Sequence, residues 1–273
     1  MNRRTRIIAV CIACALVAYG LYRVFLHAAH IEPAIITPSM DAQQEVSPSF
    51  SGRLKRLFNE RVTYADRSTR PRLIALTFDD GPYPVFTPIL LSELARLRVP
   101  ATFFVIGRDA EQWPQLTQRI EAGGNEVADH TYTHPNLDEL SAAQTRAEIL
   151  KGRDVLYGLV HDPGVREYFR PPHGRYTVAT VQVAQSLGYL TVLWTDDGGD
   201  WRSVTPAALA EHLQVHATAP EIVLLHSGKM ATIEMLPLVV KRFEQAGYRF
   251  VTVGQLLARV RPYELNHPAK RPV

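Results

Sequence analysis

A chain of 273 residues has room for one large domain or two small ones. An apolar fraction of 46% with 21% charged residues is that of a globular protein and excludes a disordered or fibrous chain. The formal net charge of +3 is too small to argue for nucleic acid; much of it sits at the two ends, in Arg3, Arg4, Arg6, Lys270 and Arg271, so a neutral or mixed-charge substrate is expected.

The two cysteines, Cys11 and Cys14, both lie in an apolar N-terminal run. The rest of the chain therefore has no disulfide framework and no thiolate metal site, and any metal must be held by His and carboxylate. Ile7 to Tyr22 carries no charge, Arg23 interrupts, and Val24 to Leu26 resume the apolar pattern. At ~1.5 Å per residue a helix from Ile7 to Ala29 is long enough to cross a bilayer, with Arg23 and His27 snorkelling to the interface. The three arginines before it stay cytoplasmic and direct the following chain outward. A cleaved signal peptide ending near Ala18-Tyr19-Gly20 is the rival, disfavoured because the apolar pattern continues past Gly20. Both readings export the remainder of the chain, to the periplasmic or extracellular face.

Residues 1–30 thus form an anchor or signal peptide. Residues 31–70, with Pro33, Pro38 and Pro48 and no sustained apolar period, read as a tether holding at most a short helix near Arg53 to Glu60. From 71 to 260 short β-branched runs alternate with amphipathic segments, and 261–273 read as a tail. Strands are expected at Leu73–Phe78, Thr102–Ile106, Glu126–Asp129, Glu167–Arg170, Leu190–Trp194, Ile222–Leu225 and Phe250–Val253. Helices are expected at Phe86–Leu97, Ala110–Ala122, Ser141–Leu156, Thr177–Leu187, Pro206–Ala217 and Ile233–Ala246, with Gly123, Gly188 and Gly247 as left-handed caps. Strands alternating with helices predict an α/β fold with a parallel sheet, either open or closed into a barrel.

The reactive side chains gather at the C-terminal ends of these strands, where α/β folds keep their sites. The first strand ends in Thr77-Phe78-Asp79-Asp80-Gly81-Pro82. Adjacent carboxylates repel and need a cation nearby, although a solvated turn has the same composition. The third runs into Asp129-His130-Thr131-Tyr132-Thr133-His134-Pro135; histidines four apart can meet one point across a helical turn and, with a carboxylate, make an open zinc site. The fourth ends in Arg170-Pro171-Pro172-His173-Gly174, a rigid turn that can aim a backbone N–H at an oxyanion, with Arg170 able to clamp a carboxylate in bidentate fashion. The fifth leads to Trp194 to Trp201, with Asp196, Asp197 and Asp200 between the indoles; an acidic loop is the bland alternative for the first two acids. The sixth ends in Leu224-Leu225-His226-Ser227, placing a histidine suited to acid catalysis at the sheet edge. Ser227 lacks the Gly-x-Ser-x-Gly elbow of a hydrolase nucleophile, and His161, His212, His216 and His267 read as structural or solvated.

These five segments, in this order, resemble the NodB-type polysaccharide deacetylases (carbohydrate esterase family 4) over about Leu73 to Leu257, two thirds of the chain. The resemblance implies a distorted (β/α) barrel of about seven strands. It implies that Asp79 is the catalytic base and that Asp80, His130 and His134 hold a divalent metal, Zn²⁺ with Co²⁺ or Ni²⁺ as alternatives. It casts Arg170 as the residue that tunes Asp79, Asp200 as the partner of the catalytic acid His226, and the His173 N–H as an oxyanion donor. Trp201 would wall the acetyl pocket, with Leu224 beside it. His173 stands where tyrosine is usual and Ser227 where aspartate is frequent. The implied activity is removal of N-acetyl groups from amino sugars of a polysaccharide or oligosaccharide. An O-acetyl esterase acting on a glycan such as xylan, and a non-catalytic glycan binder of the same fold, remain as alternatives.

Overall fold

The computed structural model describes residues 72–202, 204–216 and 221–266. The expected membrane-spanning helix, the tether and the short helix within it lie outside these residues. Among the described residues no helix is long and apolar enough to cross a membrane.

Eight strands are present among the described residues: β1 (Leu73–Asp79), β2 (Thr102–Val105), β3 (Glu126–Asp129), β4 (Tyr168–Phe169), β5 (Leu190–Thr191), β6 (Asp196–Asp197), β7 (Glu221–His226) and β8 (Arg249–Phe250). They run in the order β5-β4-β3-β2-β1-β7-β6, with β8 beside the start of β1, and every pairing is parallel. The arrangement is a parallel-strand half-barrel, consistent with the expected (β/α) fold. It has one strand more than the seven expected, the two-residue β6 beside β7.

Side chains alternate along β1, and the alternation sorts them into two cores. Ile74, Leu76 and Phe78 join Phe103, Val105, Val127, Val223 and Leu225 in the larger cluster, which takes in the apolar faces of the flanking helices. Leu73 and Ala75 join Phe104, Ala128, Val192, Ile222 and Val251 in a second cluster on the other face. Thr77 and Asp79 continue the second set by period, so the strand that builds the inner core delivers a carboxylate at its C-terminal end.

The helices follow the expected pattern with local revisions. α1 (Phe86–Leu97) matches, but its left-handed C-cap is Arg98 (φ 57) rather than a glycine. The single helix expected over Ala110–Ala122 is two, α2 (Gly107–Gln112) and α3 (Pro114–Ala122). Pro114 has no N–H to continue a helix and instead starts one. After α3 the left-handed residue is Gly124 (φ 77), not Gly123, whereas Gly188 and Gly247 do take positive φ. α4 (Ala142–Leu159) and α5 (Val178–Ser186) each begin with a reciprocal capping box, Ser141 with Gln144 and Thr177 with Thr180. α6 (Pro206–His216) and α7 (Met230–Gln245) follow.

The second expected strand loses Ile106, and three others are shortened by two residues or more. A turn of helix at Gly164–Glu167 takes the first residue of the fourth strand, and the following Pro171 and Pro172 cannot extend the ladder. The fifth ends at Thr191. The last gives way at Val253 to α8 (Val253–Asn266), a helix that was not expected and that crosses the boundary drawn at residue 260. Its start is a Thr-x-x-Gln box: the Gln255 N–H donates to Thr252 Oγ1 at 3.2 Å and the Thr252 N–H to Gln255 Oε1 at 3.4 Å. Val253 and Leu256 seal the inner core.

Candidate active site

β1 ends at Asp79, in register with His226 at the end of β7. Adjacent strands lie about 4.8 Å apart, so the two strands set an acidic and a basic group side by side by backbone pairing alone. Asp80 then leaves the sheet with φ 71 and Gly81 with φ 70, which turns the second carboxylate away from the direction of the first.

Asp79 is buried and pairs with Arg170, whose Nη1 donates to Asp79 Oδ1 at 2.6 Å. Arg170 is 0% exposed and every arm of its guanidinium is used. Nη1 also donates to Thr77 Oγ1 at 2.7 Å, Nε to Val192 O at 3.1 Å and Nη2 to Leu193 O at 3.2 Å. The guanidinium lies 3.9 Å from the centre of the Phe104 ring. The expected bidentate clamp is therefore a single-pronged contact, because the remaining nitrogens are committed to the backbone carbonyls of Val192 and Leu193, just past β5. Burial raises the Asp79 carboxyl above the ordinary carboxylate range, while the charge of Arg170, then that of His226, and the Arg170 hydrogen bond pull it back.

His130 and His134 meet, but not across a helical turn. The chain after β3 bends instead at Thr131 (φ 68) and His134 (φ 63), and the His134 N–H donates to Thr131 Oγ1 at 3.1 Å. Glu148 of α4 holds the bend by accepting from the Thr133 N–H at 2.8 Å. His130 Nδ1 lies 2.8 Å from the Arg170 carbonyl oxygen. A carbonyl only accepts, so Nδ1 carries the proton and Nε2 presents a lone pair. Burial, then the charge of His134, pushes His130 down to about 3, which keeps the ring neutral; burial lowers His134 as well.

His130 Nε2 is 3.2 Å from His134 Nε2, and His134 Nε2 is 3.2 Å from Asp80 Oδ1. Asp80 Oδ1 is buried and has no hydrogen-bond partner. The potential ligand atoms of Asp80, His130 and His134 lie within 4.8 Å of one another. The His130 Nε2 lone pair and the Asp80 carboxylate oxygen stand beside His134 Nε2, which is 3.2 Å from each, so the donor set fits a divalent metal of the zinc type with open positions. The His130–Arg170 hydrogen bond is the outer contact that such a ligand needs.

On the opposite side, His226 Nδ1 is 2.7 Å from Asp200 Oδ1, and the His226 N–H donates to Asp200 Oδ2 at 2.7 Å. Thr232 Oγ1 donates to the same Oδ2 at 2.6 Å. Asp200 is thus buried but satisfied. Burial by itself lowers the His226 pKa; the Asp200 hydrogen bond and charge, with the charges of Asp79 and Asp80, outweigh it and the net shift is upward. With Nδ1 engaged by the carboxylate, Nε2 is the atom free to exchange a proton.

His173 lies between this pair and the metal ligands in sequence, and its ring sits edge-on to His134 with centroids 4.4 Å apart. Its φ of 56 and the φ of 65 at Gly174 reverse the chain there. A Cβ at Gly174 would stand 2.7 Å from the Trp194 ring, so only glycine lets this turn approach it. Leu224 is buried opposite Thr77 on the strand face that carries His226. Trp201 is 52% exposed, with the Arg202 guanidinium 4.6 Å over its ring. Asp197 serves its own turn, accepting from the Gly199 N–H at 2.9 Å, and its carbonyl accepts from His212 Nε2 at 3.0 Å. Thr77 and Thr232 contribute without having been assigned a role from the sequence, and Ser227, weighed there only as a nucleophile and as a departure from the family pattern, contributes a buried hydroxyl. Thr77 alone carried a signal, lying two residues before Asp79 on the same strand face.

Known proteins resemble this chain in sequence and fold. A family model for polysaccharide deacetylase matches residues 66–192. A peptidoglycan-N-acetylglucosamine deacetylase of Bacillus cereus is 35% identical over 191 residues, covering 68% of this chain and 88% of the relative. A chitooligosaccharide deacetylase of Sinorhizobium fredii is 38% identical over 155 residues, covering 57% and 72%. The crystal structure of the Bc1960 peptidoglycan N-acetylglucosamine deacetylase superposes with a TM-score of 0.65 at 30% identity, covering 68% of this chain and 88% of that one. The chain belongs to the polysaccharide deacetylase family.

Proposed function

We propose that this protein is a metal-dependent hydrolase that removes N-acetyl groups from amino-sugar residues of a cell-envelope or extracellular polysaccharide. The observation that carries the proposal is the convergence of Asp80 Oδ1, buried without a hydrogen bond, with two imidazole nitrogens, flanked by an Arg-held carboxylate and a carboxylate-held histidine. A divalent cation on Asp80, His130 and His134 would supply Lewis acidity to water and to the amide carbonyl.

The chain's own groups then divide the proton work. Asp79 Oδ2, which Arg170 does not engage and which lies 3.7 Å from His130 Nε2, accepts a proton from the attacking water. The water oxygen adds to the acetyl carbon, and the His173 N–H would donate to the developing oxyanion. His226 Nε2 gives its proton to the sugar nitrogen as the C–N bond breaks, with Asp200 stabilising the imidazolium until then. Acetate and a free amine leave. Leu224 and Trp201 would wall the acetyl group, and the indole of Trp201, 52% exposed, would stack on a sugar ring. The names of the relatives favour glucosamine-containing polymers as substrates.

The anchor, residues 1–30, would hold the catalytic domain, residues 71–260, outside the cytoplasm through the tether at 31–70, in reach of the envelope. The test compares acetate release from N-acetylglucosamine oligomers and from an O-acetylated xylan. Release from the first only is expected. Release from xylan only would make the protein an O-acetyl esterase, and glycan binding without release would make it a binder. Asp79→Asn should abolish release and still bind Zn²⁺; full activity in that variant would remove Asp79 from the role of base.

A further inference from the structure

The turn that follows β1 must hold two neighbouring carboxylates in different places. It does so through consecutive left-handed residues, Asp80 and Gly81, a conformation that is unfavourable for an L-residue such as aspartate. Something outside the turn has to keep it there. The Gly81 carbonyl accepts from the Ile106 N–H at 3.2 Å. The other two carbonyls are met by one residue on β7's edge: the Ser227 N–H donates to Asp79 O at 3.0 Å, and Ser227 Oγ lies 3.1 Å from Asp79 O and 3.2 Å from Asp80 O. The hydroxyl has a single proton, so it is shared between the two carbonyls.

Ser227 is 1% exposed and its proton points at groups that cannot act as a base, which rules out a nucleophilic role. A Cβ on Gly81 would fall 2.8 Å from its Oγ, a measure of how closely the end of β7 backs the turn. Asp80 Oδ1, in contrast, has no hydrogen-bond donor to aim it. Its polar contacts are His134 Nε2 at 3.2 Å and His130 Nε2 at 3.8 Å, so its place among them depends on the backbone turn that carries it.

We propose that Ser227 is a positioning residue for Asp80: its hydroxyl pins the Asp79–Asp80 carbonyls, and through them keeps Asp80 Oδ1 at the point where His130 and His134 converge. The inference rests on the reading of Asp80, His130 and His134 as metal ligands. Loss of the hydroxyl loosens the ligand without removing it, so the effect appears in metal affinity before it appears in folding.

The experiment measures the Zn²⁺ dissociation constant of the full chain by competition with a chromophoric chelator, for the wild type, Ser227→Ala, Ser227→Thr and Asp80→Asn. Apo melting temperatures and kcat and KM on N-acetylglucosamine oligomers are recorded alongside. Outer contacts of metal ligands are typically worth ~10–100-fold in affinity or activity. Ser227→Ala should weaken Zn²⁺ by about tenfold and lower kcat, with KM for the glycan unchanged. Ser227→Thr, which keeps the hydroxyl, should restore the affinity. Should the alanine variant fail to fold, Ser227→Cys, a weak donor of similar size, carries the same expectation. Wild-type affinity in Ser227→Ala, or equal losses in the alanine and threonine variants, would overturn the inference. Asp80→Asn separates the two failures: undiminished affinity there would condemn the ligand set itself, whereas lost affinity there beside an unaffected Ser227→Ala would condemn only the positioning role.

Discussion

Arg170→Met removes the cation beneath Asp79 while keeping an unbranched stem of similar length. The guanidinium makes four side-chain hydrogen bonds, one to Asp79, one to Thr77 and two to backbone carbonyls, and both charged partners are buried. Removing one partner of a buried ion pair costs ~3–5 kcal/mol because the other charge is left uncompensated. The loss depends on pH in a defined direction. Burial already raises the Asp79 pKa against the pull of Arg170, and without that pull it rises further. A carboxyl whose folded pKa exceeds its unfolded one destabilises the fold increasingly as pH rises from the unfolded value through the folded one. The deficit of the variant should therefore be largest at neutral pH and shrink towards about pH 4, where Asp79 folds in its neutral form. Urea unfolding of chelator-treated wild type and variant across this range measures it without a contribution from metal linkage. Pairing the variant with Asp79→Asn should recover part of the loss, since the orphaned charge is gone. A deficit below ~1 kcal/mol at neutral pH, or one that does not shrink in acid, would refute the claim that a buried ion pair organises this end of β1.

Asp200→Asn removes the charge that holds His226 above its ordinary pKa, so the alkaline limb of kcat/KM should move to lower pH; an unmoved limb would mean that His226 is not the acid. The same pair contributes stability that is complete below the unfolded histidine value and is lost as pH rises through the folded one, so the stability gap between wild type and Asp200→Asn should narrow in alkali. Gly174→Ala forces a side chain into positive φ against the Trp194 ring, and the left-handed penalty plus overpacking should cost ~2–4 kcal/mol in a denaturant titration, with activity falling as the His173 N–H shifts.

Legibility in the sequence depends on range. β1, β3 and α1 are continuous patterns several residues long, and their bounds agree with the structure to within a residue. β6 and the shortened β4 and β5 hold two residues each, too few for any period, and exist because a neighbouring strand pairs with them. α8 had a local signal, the Thr252-x-x-Gln255 box, hidden behind an apolar run that continues into the helix. The candidate site was readable because its residues stand at strand ends in recognisable groups. Its internal wiring was not: the single-pronged Arg170 contact, the Ser227 link and the Thr232 support of Asp200 join residues 32 to 148 positions apart. The meeting of His130 and His134 was foreseen by spacing, yet a pair of left-handed residues produces it rather than a helix.

The metal-dependent deacetylase reading is tested most directly by acetate release from N-acetylglucosamine oligomers, using protein stripped with a chelator and then given stoichiometric Zn²⁺. The stripped protein should release none and the reconstituted protein should recover full release, with Asp80→Asn failing to recover at the same zinc concentration. Undiminished release from stripped protein, or recovery in the Asp80→Asn variant equal to wild type, would contradict that reading.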